Sequence, residues 1–215
     1  MLNFDLVNIP IGSQIKKSYS LSFKLKKAST LLIETKNFSI SNKVADLCSL
    51  RNFQYNGKII LFEKDIKLLN NQEIKNYRKN ISIAGNYDAL FNNMTIINNI
   101  ALPLRLRSFS EKTIEKRIEE LVLWLDLKNI IYRDIEQLNE YELSLLKIVR
   151  AIITNPKILI LINPLSLNSK LNETILKIIT GLISYRTSIL ILENFNYNYH
   201  DIIENLKIIR LNSVV

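Results

Sequence analysis

Lys157-Ile158-Leu159-Ile160-Leu161-Ile162-Asn163-Pro164 is an unbroken aliphatic run between a lysine and an Asn-Pro stop. A strand with one wet face alternates apolar and polar residues. This run does not alternate, so both of its faces must be covered, as in the middle of a parallel sheet. Ser188-Ile189-Leu190-Ile191-Leu192, Leu31-Leu32-Ile33 and Ile81-Ser82-Ile83-Ala84 read the same way, and the four segments are expected side by side. Further strands are expected at Phe4–Val7, Leu21–Leu25, Lys58–Phe62 and Lys207–Leu211. Between them the period changes to that of a helix. Ile114, Ile118, Leu121, Val122 and Leu125 mark one helix over Glu111–Asp126, with Ser110 as its N-cap. A second follows Asn139, where Asn139-x-x-Glu142 spells a capping box, and a third runs through Ile175, Leu176, Ile179 and Ile183. Strands alternating with helices predict an α/β domain. A helical subdomain at about 87–155 is expected between core segments 1–86 and 156–215.

The composition narrows the chemistry. The 215 residues, 47% hydrophobic, suffice for one domain with a real core. Cys48 and His200 are the sole residues of their types, which excludes a disulfide framework and a Cys/His zinc site. No apolar stretch reaches bilayer length, and Met1-Leu2-Asn3-Phe4-Asp5 lacks the layout of a signal peptide, so a cytoplasmic protein is expected. The net charge of +9 comes from scattered Lys and Arg without an aromatic-interleaved basic motif, which disfavours a nucleic-acid-binding domain. Only four glycines are present, too few for chemistry built on a glycine-rich phosphate loop.

The order of elements and several motifs nevertheless resemble one family. Gly57-Lys58-Ile59-Ile60-Leu61-Phe62-Glu63-Lys64-Asp65-Ile66 is similar to the strand and turn after the first helix of ATP-binding-cassette (ABC) ATPases. Arg78-Lys79-Asn80-Ile81-Ser82-Ile83 resembles the segment leading to the Q-loop. Met94-Thr95-Ile96-Ile97-Asn98-Asn99-Ile100-Ala101-Leu102-Pro103-Leu104-Arg105 is similar to T-x-x-x-N-V-A-L-P-L-R of the bacterial cell-division ATPase FtsE. Ile148-Val149-Arg150-Ala151 and Asn155-Pro156-Lys157-Ile158-Leu159 match the approach to Walker B. The resemblance implies an ABC-type P-loop fold: a mainly parallel core, an antiparallel N-terminal part and an inserted helical subdomain.

The chemical motifs of that family are replaced. A working P-loop, G-x-x-x-x-G-K-[ST], wraps backbone amides around phosphates and supplies a lysine and a magnesium-binding hydroxyl. The corresponding Thr35-Lys36-Asn37-Phe38-Ser39-Ile40-Ser41-Asn42 has no glycine, and its lysine position falls on Ser41, or on Ile40 one residue earlier. The two Walker B acids read Ile162 and Asn163, the Q-loop glutamine Asn86 and the switch histidine Asn194. The signature L-S-G-G-E reads Leu138-Asn139-Glu140-Tyr141-Glu142, and Leu167-Asn168-Ser169 replace the D-loop pattern. No catalytic residue, metal site or bound cofactor is therefore expected, although the family implies ATP and magnesium. The resemblance implies a pseudo-ATPase adaptor at the inner face of the plasma membrane, working in cell division with the membrane protein FtsX, with a homodimer as a further expectation. Leu90, Phe91 and Pro103 are the expected lining of a groove for the partner's coupling helix. The alternatives are an ABC subunit for lipid or solute transport that keeps residual ATP binding, and the disfavoured nucleic-acid-binding domain.

Overall fold

The computed structural model describes residues 1–10, 18–85, 89–164, 169–194 and 206–211, with side chains for all of these but 169–172. Nine strands and six α-helices follow one another among these residues. The first sheet is antiparallel, in the order β2-β1-β4-β5, and is built from β1 (Leu2–Pro10), β2 (Ser18–Leu25), β4 (Asn56–Leu61) and β5 (Lys64–Asp65). Phe62 and Glu63, both at positive φ (48° and 75°), close the β4–β5 hairpin. A bulge in β1 between Phe4 and Val7 throws Leu6 to φ 45°, and Gly57 lies beneath it. A Cβ on Gly57 would come within 2.2 Å of the Leu6 carbonyl oxygen, so glycine is required there.

The second sheet is wholly parallel in the order β6-β7-β8-β3-β9. It comprises β6 (Ile81–Ala84), β7 (Ile158–Ile162), β8 (Ser188–Glu193), β3 (Thr30–Thr35) and β9 (Lys207–Leu211). The four expected central segments are indeed neighbours, and the β7 bounds coincide with the aliphatic run. Two cores explain why the aliphatic runs of β7, β8 and β3 do not alternate with polar residues. Leu159, Leu161, Ile189, Ile191 and Leu32 point into a core shared with the helical layer. Ile158, Ile160, Ile162, Leu190, Leu192, Leu31 and Ile33 point into a second core, shared with the antiparallel sheet and helix α1 (Phe38–Cys48). A fully buried aliphatic side chain contributes about 1.5–3 kcal/mol relative to its exposed state, and these strands bury one at nearly every position. Cys48 is buried in the second core, which pushes its thiol pKa well up by desolvation.

The remaining helices are α2 (Asn71–Arg78), α3 (Ile96–Arg105), α4 (Glu111–Trp124), α5 (Glu140–Ile152) and α6 (Ser169–Ser184). α3, α4 and α5 form the helical subdomain between β6 and β7. Ser110 caps α4 through its side chain, and Asn139 with Glu142 forms the expected capping box on α5. The stretch Asn98–Arg105 lies within α3, Pro103 included, and Asn99, Ile100, Ala101 and Leu104 are the residues it buries. Helical spacing of three and four sets that face.

Candidate functional site

The carboxyl ends of β3, β7 and β8 meet at α1, the place where open α/β sheets bind ligands. Only Lys36 and Asn37 separate β3 from α1, so no loop is left to wrap around a phosphate chain. The amides at this helix start are already used. The Asn37 N–H donates to Thr35 Oγ1 at 3.2 Å and the Ser39 N–H to Asn37 Oδ1 at 3.0 Å. The Ile40 and Ser41 N–H groups donate to the Asn37 carbonyl at 3.0 and 3.3 Å. Both candidates for the lysine position are interior: Ile40 is fully buried and Ser41 is 1% exposed. Asn42 is half-buried in α1.

Side chains from three elements close over this point. Asn194, just past β8, donates through Nδ2 to the Thr35 carbonyl at 2.7 Å and to Ser41 Oγ at 3.0 Å. Its N–H reaches Asn163 Oδ1 at 2.9 Å and Glu193 Oε1 at 3.0 Å. Asn163 follows β7 at φ 49°, a conformation asparagine tolerates, and its N–H donates to the Leu192 carbonyl at 2.9 Å. Ile162 is 2% exposed and belongs to the second core. It lies so close to Gly85 that a Cβ there would meet Ile162 Cβ at 2.7 Å. The sequence-expected positions Thr35, Ser41, Asn163 and Asn194 are thus brought together in an amide–hydroxyl network, with the buried carboxyl group of Glu193, at the end of β8, beside it. Asn163 Nδ2 and Asn194 Oδ1 stay buried without a hydrogen-bond partner, one donor and one acceptor.

A magnesium–triphosphate group does not fit these residues. The phosphate amides are occupied by Thr35 and Asn37, the metal position carries the alkyl side chain of Ile162, and Asn194 occupies the space beside Ser41. Asn86, His200, Leu167 and Asn168 lie outside the described residues, as does the side chain of Ser169.

The signature positions take structural roles at the start of α5. Asn139 Oδ1 accepts the Glu142 N–H at 2.9 Å, and Glu142 Oε2 accepts the Asn139 N–H at 3.0 Å. Arg133 pairs through Nη1 with Glu142 Oε1 at 2.8 Å and donates through Nη2 to the Gln137 carbonyl. Tyr141 Oη stands 3.4 Å from Thr174 Oγ1 on α6. Glu140 is exposed in the first turn. Two carboxylates there already complement the positive end of the helix dipole, so a phosphate would meet repulsion.

Of the three expected docking residues, Leu90 turns inward, at 9% exposure, and packs in the helical core. It is hydrophobic lining of that core rather than of an open groove. Phe91 is 48% exposed with the Arg150 guanidinium 5.8 Å from its ring centre, and Pro103 is half-buried in α3. The residues that hold this corner are Asn99 and Arg150. Asn99, fully buried, accepts the Phe91 N–H at 2.7 Å and donates to the carbonyls of Phe91, Met94 and Thr95 at 3.0–3.2 Å. Arg150 reaches Asn99 Oδ1 at 3.4 Å and the Ala89 carbonyl at 2.9 Å. Sequence reasoning gave neither a role. An asparagine on the apolar face of α3 was the available signal.

Comparison with known proteins agrees with this geometry. A family model described as ABC transporter matches residues 45–166. The methionine import ATP-binding protein MetN of Clostridium acetobutylicum is 31% identical over 104 residues, 48% of this chain and 32% of that protein. MetN 1 of Bacillus thuringiensis is 34% identical over 104 residues, 48% of this chain and 31% of that protein. The chain thus spans about a third of the length of these curated relatives. The dimeric structure of MJ0796, a bacterial ABC transporter cassette, superposes with a TM-score of 0.81 over 98% of this chain and 94% of that one, at 16% identity. A post-hydrolysis state of the same cassette bound to ADP and Pi gives 0.80 at 18% identity, with the same coverage. With the fold matched over nearly its whole length and the family model over more than half, the chain belongs to the ABC transporter family as an ATP-binding-cassette domain.

Proposed function

We propose that this chain is a pseudo-ATPase: a cassette that docks on an integral-membrane partner without hydrolysing ATP. The observation that carries the reading is the network of Thr35, Ser41, Asn163 and Asn194, whose groups bond to one another at the start of α1 beside the buried Glu193 carboxyl group and present no cation to a phosphate. Phosphoryl transfer depends almost wholly on positioning and on charge stabilisation, and this corner offers neither. The adaptor role needs apolar area and shape, which a cassette keeps when its chemistry is gone. Calorimetry on the purified chain tests the loss of chemistry. No magnesium-dependent ATP binding in the micromolar range is expected, and such binding, or phosphate release above background, would overturn the reading.

Two partner classes follow. The stretch Asn98–Arg105, which resembles FtsE, favours an FtsX-like protein of the division complex and a cassette held at the inner face of the membrane. The names of the relatives favour a permease of the methionine-import type. Co-purification with each membrane protein separates them. Phe91→Asp, the exposed member of the docking corner, is expected to weaken whichever complex forms, and undiminished capture would move the docking site elsewhere.

A further inference from the structure

At the opposite end of the parallel sheet, where β7 and β8 begin, lies a cleft of about 910 Å³. One strand length, roughly 17 Å, separates it from the amide network. Its walls come from three places: Leu121 and Trp124 of α4, Leu182 of α6, and Phe62 of the β4–β5 hairpin. Its volume is that of a pocket for a small organic molecule. The charged lining is unequal, with Lys27, Arg117, Lys157 and Arg186 against Glu63 and Glu120. Arg117 is engaged, donating to the Ile153 carbonyl at 3.2 Å and lying 4.7 Å over the Phe109 ring. Among the described residues the Lys157 ammonium meets only the Phe62 ring, 5.8 Å from its Nζ. Among the described residues no carboxylate forms an ion pair with Lys27, Lys157 or Arg186.

We propose that this cleft binds a small amphipathic organic anion: an apolar tail against Phe62, Leu121, Trp124 and Leu182, and a phosphate- or carboxylate-sized head among Lys27, Lys157 and Arg186. Apolar walls supply affinity and the cations select the head, because a neutral analogue gains nothing from them. The proposal does not rest on the pseudo-ATPase reading, since it uses other residues at the other end of the sheet.

Trp124 is the sole tryptophan of the chain and part of the wall, so its emission reads occupancy directly. The probe is octyl phosphate below its micelle concentration, with octanol and inorganic phosphate as half-ligands. A saturable change in emission with a Kd below about 100 µM is expected, each half-ligand binding at least about tenfold more weakly. Lys157→Gln with Arg186→Asn should raise the Kd about tenfold while leaving the far-UV spectrum unchanged. Asparagine is chosen at 186 because the residue sits at φ 64°. No saturable change, equal affinity for octanol, or an unchanged Kd in the double variant would overturn the proposal. So would a response confined to phosphatidylglycerol vesicles, which would mark a membrane surface instead of a pocket.

Discussion

Replacing Ile162 by aspartate restores the acid that a hydrolysing cassette carries there, and the structure predicts damage rather than activity. Ile162 is 2% exposed and packs in the core between the two sheets, close against Gly85. Removing a buried aliphatic side chain of this size costs about 2–5 kcal/mol through lost transfer energy and an unfilled cavity. A carboxyl group without a partner at the same place adds about 1–3 kcal/mol. The two ranges add to about 3–8 kcal/mol for Ile162→Asp. At about 2–4 °C per kcal/mol for a chain of this size, a cost of about 5 kcal/mol, near the middle of that range, lowers the melting temperature by roughly 10–20 °C. Ile162→Val should cost only about 1 kcal/mol. Burial raises the pKa of the new carboxyl above its unfolded value of about 3.9. Its folded form then holds the proton that the unfolded form has released, so stability falls as pH rises between the two values. The gap between Ile162→Asp and its non-ionising control Ile162→Asn should therefore widen from pH 4 to pH 7. Urea denaturation followed by circular dichroism measures all four proteins. An aspartate variant within about 1 kcal/mol of wild type at pH 7, or one that gains magnesium-dependent ATP turnover, refutes the reasoning.

Asn99→Ala should destabilise by about 3 kcal/mol, because it leaves the Phe91 N–H and several carbonyls of the 91–95 segment without their partner. A loss under 1 kcal/mol in chemical denaturation would show that the segment is held otherwise. Gly181→Ala places a Cβ 2.6 Å from Trp124 Cζ2, so the ring must move. The variant should shift the tryptophan emission and lose about 1 kcal/mol despite alanine's better helix propensity, and an unchanged spectrum would contradict the contact. The hydrogen bond from Lys64, with help from the Asn70 N–H, holds the Glu73 carboxyl below the usual range. Its contribution is present above the unfolded pKa and is lost as pH falls through the folded one. An NMR titration should show a lowered midpoint that moves up in Lys64→Met.

Where a residue's own pattern dictates its element, the sequence was readable. The aliphatic runs could only be strands covered on both faces, and Ser110 and Asn139 announced helix starts with their side chains. α2 was silent because it buries none of its residues, so no apolar period marks it, although its capping box, Asn70 with Glu73, was there to be read. The site was legible as a set of substitutions but not as an object. Nothing in the spacing of Ser41, Asn163 and Asn194 says that their amides and hydroxyl would bond to one another. That outcome depends on the first turn of α1 and the ends of β7 and β8 converging so that Asn194 reaches both Ser41 and Asn163. Leu90 illustrates the converse, since an apolar residue beside an exposed phenylalanine reads as surface until Asn99 is seen folding the segment inward.

The alternation of β3, β7 and β8 between two cores bears on what such a chain can change and survive. Every aliphatic residue within these strands answers to one packed layer or the other, and each strand is a wall common to both. The layers are therefore coupled, and the helical subdomain and the antiparallel sheet should lose their order together although the parallel sheet stands between them. Asn163 and Asn194 sit one step beyond the strands, where the alternation has ended and neither layer claims the side chain. A cassette built this way can exchange its chemical residues at the strand tips one by one while its scaffold admits almost no substitution, so loss of catalysis and loss of fold become separable events.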